Sequence, residues 1–494
     1  MKKAVFVMVM LFCMAMVLLA DFKPPQGTPE RRKGGEAFPP LPLPATPLRR
    51  TEKKRQPAPP ILVARLIHGD LRTVTYEGKE YKFWDWDTNP GAIKRLMKVA
   101  KEQLGIEYTE TSVSFERFDG DPAKYPILFV TGHMPLAFKD EEIEKLRKFA
   151  LAGGYIVFES CCGVQEFYDS AKEVVKKMFP DRKIVKLDSD HPIFRSHYPI
   201  SSATYNFGGT RHSTKEVPYI EGVDIGCRTA VFIFKHGISN GWDRYHDPGA
   251  KDLEFEDADQ LGINLISYAL AYYSLGRFIA QERVFFEEAK SEEGAFIFAQ
   301  VVYEGNWDPN PTAALNLLAA LKTATPALTH FKRVQVDLKK SDISRYPFLF
   351  LTGHEEFTLD KEDIEKLRNH IVSGGFLVAD ACCARDGFVK SFIALVKVMF
   401  PDAELKHLPA EHPIYSSKFK IEKVDYTEES NRVRKDLPSL PLYGVEVNGV
   451  TRIIFCPYAL GNGWEKEHHP FTVAISAEDS VKLGVNIVTY CLTH

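Results

Sequence analysis

Clustered basic residues with interleaved aromatics are missing from this sequence, and so is an excess of either charge: 63 Lys and Arg face 66 Asp and Glu. That balance gives nucleic-acid binding no support. Cysteine is sparse, eight residues in 494, and none falls in a Cys-x-x-Cys pair or a His-Cys cluster with structural-zinc spacing. The seven beyond Cys13 (161, 162, 227, 382, 383, 456 and 491) are an odd set without small-domain spacing, which argues against a disulfide framework. Spacing alone therefore commits the chain to no metal and no cofactor.

The ends of the chain carry a second kind of information. Met1-Lys2-Lys3 followed by the apolar run Ala4 to Ala20 reads as a secretory signal over residues 1–20, with cleavage expected after Ala20. Its seventeen apolar residues also reach the lower limit for a membrane span, so membrane contact is expected only if the segment stays uncleaved. Cleavage would leave a net charge of 61 − 66 = −5. In either case the bulk of the chain is expected outside the cytoplasm, periplasmic or secreted. Residues 21–60 hold eleven prolines and no apolar periodicity, as a semi-rigid linker does.

What the sequence does contain, it contains twice. Tyr125-Pro126 with Thr131-Gly132-His133 returns 221 residues later as Tyr346-Pro347 with Thr352-Gly353-His354. The same offset carries Trp86-Asp87-Thr88-Asn89-Pro90 onto Trp307-Asp308-Pro309-Asn310-Pro311, Gly153-Gly154 onto Gly374-Gly375, Cys161-Cys162 onto Cys382-Cys383, and His191-Pro192 onto His412-Pro413. A period this long is two complete domains of one fold, not a solenoid. The domains are expected over 61–278 and 294–494, and they are expected to pack on each other.

Within each copy, short apolar runs alternate with helical patterns. Opening strands are expected over Ile61–His68 and Phe296–Tyr303, buried strands at Ile127–Val130 and Phe348–Leu351, and a hairpin-like insertion over 69–83 in the first copy only. Asn-Pro at 89–90 and 310–311 predicts helix starts. Gly153-Gly154 predicts a left-handed helix exit that leads straight into the strand Tyr155–Phe158. Strands and helices alternating at this spacing predict two tandem α/β domains of the doubly wound, flavodoxin-like type, each with a mainly parallel sheet.

Ligands in such sheets bind beyond the carboxyl ends of the strands. Eight shared polar residues gather there: Asp87, His133, Glu159 and His191, with their twins Asp308, His354, Asp380 and His412. They predict a crevice that grips a polar ligand or a divalent ion, although Asp87 is equally well placed to cap a helix. Asn240-Gly241-Trp242 recurs as Asn462-Gly463-Trp464, and Asn264 and Tyr268 recur as Asn486 and Tyr490. Cys161 and Cys382 each follow a buried strand and precede a helix. That is where a nucleophile elbow would sit and where a helix N-terminus would acidify a thiol. A small buried residue in a tight turn accounts for the same placement.

Together with Val63-Ala64-Arg65, Leu146-Arg147, Leu261-Gly262-Ile263-Asn264 and Leu483-Gly484-Val485-Asn486, these motifs resemble the bacterial domain of unknown function 4159, present twice. The resemblance implies a class I glutamine-amidotransferase-like fold and no particular activity. The double cysteine departs from the acidic residues usual at that strand end, and Gln300 departs where Arg65 follows the family. No Cys-His-Glu triad is readable, and glutaminase chemistry fits an exported chain poorly. The expected function is therefore an exported, non-amidotransferase binding or scaffolding protein for a glycan or small polar ligand, with Trp84, Trp86 and Trp242 available to stack on sugars. The alternative is a hydrolase using a Cys161 or Cys382 thiolate, or a His-carboxylate site.

Overall fold

Strands covered on both faces must be apolar on both, and the central strands here are. In the computed structural model, which describes residues 59–281 and 294–494 except 77 and 248, the signal segment and nearly all of the linker lie outside the described residues. The first copy opens with β1 (Ile61–Ile67), the hairpin β2 (Leu71–Tyr76) and β3 (Lys79–Trp84), and α1 (Ala92–Leu104). It continues through β4 (Thr109–Ser114), β5 (Ile127–Gly132), α2 (Asp140–Leu151), β6 (Tyr155–Ser160), α3 (Gln165–Met178) and β7 (Val185–Lys186). Then come β8 (Ala203–Phe207), β9 (Thr210–Thr214), β10 (Ile220–Ile225), β11 (Arg228–Phe234), α4 (Ser239–Asp243), β12 (Lys251–Leu253), α5 (Phe255–Ala271) and α6 (Tyr273–Ile279).

The second copy repeats the plan with β13 (Ala299–Val302), α7 (Ala313–Ala324), β14 (Val334–Asp337), β15 (Phe348–Gly353), α8 (Lys361–Val372), β16 (Phe376–Ala381) and α9 (Asp386–Met399). It closes with β17 (Lys406–His407), α10 (Glu428–Val433), β18 (Tyr443–Val447), β19 (Val450–Cys456), α11 (Leu460–Glu465) and α12 (Ala477–Thr493). The two seven-stranded sheets have matching orders, β4-β1-β5-β6-β11-β10-β7 and β14-β13-β15-β16-β19-β18-β17. The first five strands of each run parallel, and β10 and β18 are antiparallel to their neighbours. These are doubly wound α/β domains in tandem.

Alternation along one strand shows why both faces are covered. Ile127 and Phe129 of β5 pack with Leu96 and Leu261 from α1 and α5, whereas Leu128 and Val130 pack with Leu146 and Phe167 from α2 and α3. Phe350 and Leu351 of β15 divide in the same way. Each such side chain contributes about 1.5–3 kcal/mol on burial. The 69–83 insertion is the hairpin β2–β3, and the small sheet β12-β8-β9 belongs to the first copy alone. The expected strand over 296–303 is shorter, with Phe296 making only an isolated bridge to Thr329.

Contacts join the copies. The two-residue turn Gly226-Cys227 between β10 and β11 reaches the second copy, where the Asn306 amide donates to the Gly226 carbonyl at 3.2 Å and the Cys227 thiol to the Pro309 carbonyl at 3.2 Å. Arg385 donates to Asp190 at 3.2 Å, and the Tyr272 hydroxyl to the Pro470 carbonyl at 2.7 Å.

Candidate functional site

The sharpest backbone feature lies where β6 and β16 end. The chain leaves β6 through Cys161-Cys162-Gly163, and Cys162 adopts φ 56°, ψ 10°; its twin Cys383 adopts φ 55°, ψ 15°. A non-glycine residue in this left-handed region costs about 1–2 kcal/mol. The same strain at equivalent positions in both copies is held by the packing around it. A left-handed residue breaks the strand abruptly and aims its side chain across the strand ends, as in a nucleophile elbow. The thiol presented this way is the second of each pair. Cys161 is buried beneath it and Cys162 is half-buried.

In the first copy the neighbours of Cys162 form a chain of polar contacts. His133, carried past the end of β5, places Nε2 3.4 Å from Cys162 Sγ and Nδ1 3.5 Å from Asp85 Oδ1. The Asp85 carboxylate also accepts the backbone N–H groups of His133 (3.0 Å) and Met134 (3.0 Å), which fixes it beneath the ring. Asn240 donates its amide to Cys162 at 3.3 Å and turns its oxygen to Asn89, 2.8 Å away. Asp247 accepts the S–H of the protonated form at 3.3 Å. The shared Asn-Pro and Asn-Gly-Trp motifs thus orient the sulfurs.

The charges follow from these contacts. The Cys161 S–H, with His133 and Asn240, draws the Cys162 thiol down to about 6 against the cost of burial. Burial opposes charge on His133, yet Asp85 and Cys162 raise it to about 10. Cys161 is pushed well up by its hydrogen bond to Cys162 and by burial, and stays a thiol. Between these values the pair is a thiolate and an imidazolium.

The second copy repeats the elbow and closes it. Asn306 stands where the first copy has Asp85, 3.3 Å from His354 Nδ1, and the carboxylate facing that nitrogen, also at 3.3 Å, is Asp224 of the first copy. His354 Nε2 lies 3.1 Å from Cys382 Sγ, and Cys227 of the first copy lies 3.3 Å from the same sulfur. His354, Cys227, Cys382 and Cys383 are all buried.

The other expected site residues separate into supports. Glu159 accepts the N–H groups of Ile238 (2.8 Å) and Ser239 (3.0 Å) and the Thr131 hydroxyl, so it ties the α4 loop to the strand end. Asp380 does the same for Leu460 (2.7 Å) and Gly461 (2.9 Å), and burial raises it to about 7. His191 accepts the Ile193 N–H at Nδ1, which leaves Nε2–H to donate to Thr229; His412 does likewise with Ile414 and Thr451. Asp87 caps no helix: α1 starts at Ala92 without a side-chain cap, and Asp87 pairs with Arg65. Asp308 pairs instead with Arg333, which also donates to Gln300 at 3.0 Å, so the guanidinium lost at Gln300 is supplied from beside the neighbouring strand.

Trp242 is fully buried, with its indole N–H on the Ala258 carbonyl at 2.8 Å, and is therefore unavailable to stack on a sugar; Trp84 is 43% exposed. A groove of about 720 Å³ runs along α9 past Val389, Ile393 and Tyr458 and is lined by none of these thiols. Sequence reading missed Cys162, Asp85, Asp224 and Cys227. The repeated double cysteine and the Asp85-Trp86-Asp87 run were the signals for the first two.

Two doubly wound domains, each with a thiol elbow beside a histidine, define the class. A family model for the domain of unknown function DUF4159 matches residues 71–270 and again 297–492, and the chain belongs to that family. No curated protein matches the chain.

Proposed function

We propose that the first copy is a thiolate-dependent acyl-transfer or hydrolase site, with Cys162 as nucleophile, His133 as proton donor and base, and Asp85 orienting His133. One observation carries this reading: Cys162, on its left-handed elbow, meets His133 at 3.4 Å while Asp85 faces the other ring nitrogen. The thiolate would attack the carbonyl carbon of an ester or amide, and His133 would protonate the departing oxygen or nitrogen as that bond breaks. Water, deprotonated by the now neutral His133, would cleave the thioester and return the thiolate.

The second copy, with His354 4% and Cys383 7% exposed, serves as its structural partner, which retains the scaffolding expectation for that half. The amidotransferase-like fold fits the elbow, without glutaminase activity. The Met1–Ala20 pattern supports an extracytoplasmic substrate, and a glycan ester or amide suits the exposed Trp84 near the strand ends.

Iodoacetamide labelling followed by peptide mapping tests the reading. Cys162 alone should label in the native chain, with a midpoint near pH 6. Cys162→Ala should abolish labelling and any p-nitrophenyl acetate hydrolysis, whereas Cys161→Ala should keep Cys162 as the labelled residue and raise its midpoint, since the Cys161 S–H helps to lower it. A native Cys162 that labels only with an ordinary thiol midpoint of about 8.5 would sink the proposal.

A further inference from the structure

Three cysteine sulfurs and one imidazole nitrogen converge at the join of the two copies: Cys227 from the first, His354, Cys382 and Cys383 from the second. All four are buried, and their donor atoms lie within 4.8 Å of one another. A tetrahedral ion with metal–sulfur bonds of about 2.3 Å spaces its sulfurs about 3.8 Å apart and places a ring nitrogen about 3.5 Å from each. Here Cys382 and Cys383 are 3.8 Å apart, Cys227 and Cys382 3.3 Å, and His354 Nε2 and Cys382 3.1 Å. These three separations lie within about 0.5 Å of the tetrahedral values, and the other pairs stay within 4.8 Å. Three of the four residues, Cys227, His354 and Cys383, also line a cavity of about 10 Å³, room for a single ion or water.

We propose that Cys227, His354, Cys382 and Cys383 form a closed Cys₃His site for a soft divalent ion, zinc by its chemistry, which ties the two copies together. The surroundings suit that role. Asp224 faces His354 Nδ1 and leaves Nε2 free to bind, the carboxylate–histidine arrangement usual around zinc. Asn310 donates its amide to Cys227 at 3.2 Å and Asn462 to Cys383 at 3.3 Å, as donors to thiolates should. Cys382 gives up the proton it now shares with the oxygens of these two side chains. Three thiolates on a divalent ion leave one net negative charge, and the Arg385 guanidinium beside the same cavity offsets it.

Thiolates select zinc, copper(I) or iron–sulfur chemistry over hard cations, and four ligands without an open position mark a structural site. A disulfide between Cys227 and Cys382 would use only two of the four groups. The proposal stands apart from the Cys162 chemistry, since it shares no residue with it.

The test uses the full chain, purified without chelator and then reconstituted anaerobically with zinc or cobalt(II). One zinc per chain is expected by elemental analysis, and cobalt should give the intense visible bands and sulfur-to-metal charge transfer of a tetrahedral thiolate site. Cys227→Ser should lose the metal, whereas Cys162→Ser should keep it. If Cys227→Ser does not fold, a competing chromophoric chelator on the unaltered chain gives the affinity, and removal of the ion should lower the melting temperature. A chain that takes up neither zinc nor cobalt, that loses its only metal in Cys162→Ser, or that carries a Cys227–Cys382 disulfide by intact mass would overturn the proposal.

Discussion

The two copies place the same elbow at the end of the same strand and do opposite things with it. In the first, the histidine takes its carboxylate from Asp85, 48 residues before it in the same copy, and the thiol is half-buried rather than closed over. In the second, Asn306 replaces that carboxylate, and Asp224 and Cys227 arrive from the other copy through the β10–β11 hairpin. The matching β18–β19 turn of the second copy is Asn448-Gly449, with neither sulfur nor carboxylate in the turn. Duplication gives two elbows but only one hairpin positioned to fill its neighbour. One site is left open, and one is shut by groups its own domain never encoded.

The largest way to break this contrast is at the join. Asp190 accepts from Arg385 Nε and from the Asp386 N–H at 2.9 Å. Removing one member of a buried pair strands the other. Asp190→Ala should cost about 3 kcal/mol, toward the lower end for buried pairs because Asp190 is 22% exposed. Urea unfolding should show the midpoint fall, and an unchanged midpoint would mean that the copies are held without this pair.

A smaller change would make the open site resemble the closed one. Asp85→Asn copies Asn306 and removes the charge that keeps His133 protonated. Losing an opposite charge at this distance moves a pKa by about 1–2 units, or about 1.4–2.8 kcal/mol. His133 should drop from about 10, and the Cys162 midpoint should rise from about 6 in response. The sign is definite. Cys162 is lowered in the folded chain, so its shift stabilises the fold above the ordinary thiol value and that contribution is lost as pH falls through about 6, whereas the raised His133 contributes below its ordinary value and loses that as pH rises through about 10. In Asp85→Asn the Cys162 contribution should be smaller, and its acid-side loss should be complete at a higher pH. A pH profile of Cys162 alkylation that does not move would exclude Asp85 from the site.

Much of this was legible before any coordinates. The 221-residue echo predicts two domains, and unbroken apolar strands with Asn-Pro and Gly-Gly punctuation predict the doubly wound sheets. The elbow was legible too, but not which cysteine it presents. A strand followed by two cysteines does not say whether the left-handed residue is the first or the second, and that one-residue difference separates Cys161 in the core from the half-buried Cys162. Cys227 and Asp224 were invisible for a different reason. Comparing the copies keeps only matched residues, and Cys227 falls on Gly449; Asp224 does match a carboxylate, Glu446, but a match within the repeat does not show that Asp224 serves the other copy's histidine. Trp242 shows the converse: a matched aromatic reads alike whether it packs in a core or stacks on a ligand.

The smallest expected effect sharpens the comparison at a matched pair of rings. Phe149 lies under Gly154 in the first copy, and His370 lies under Gly375 in the second, so close that a Cβ on either glycine would strike the ring. The two positions are 221 apart and do the same packing, but the ring nitrogen His370 Nε2 is buried without a hydrogen-bond partner. Burial pulls His370 down to about 4, so between its ordinary 6.5 and that value the unfolded chain takes up the proton first. The second domain should therefore lose stability as pH falls through that interval and should be unaffected by this group above it. His370→Phe, borrowing the first copy's residue, removes the unsatisfied nitrogen and keeps the ring. It should stabilise the chain by about 1 kcal/mol at neutral pH, and by more near pH 4.5, where the acid-side slope from this group disappears. Chemical denaturation at pH 7 and at pH 4.5 reads both numbers. An equal gain at the two pH values would mean that packing, not the buried imidazole, separates the two copies here.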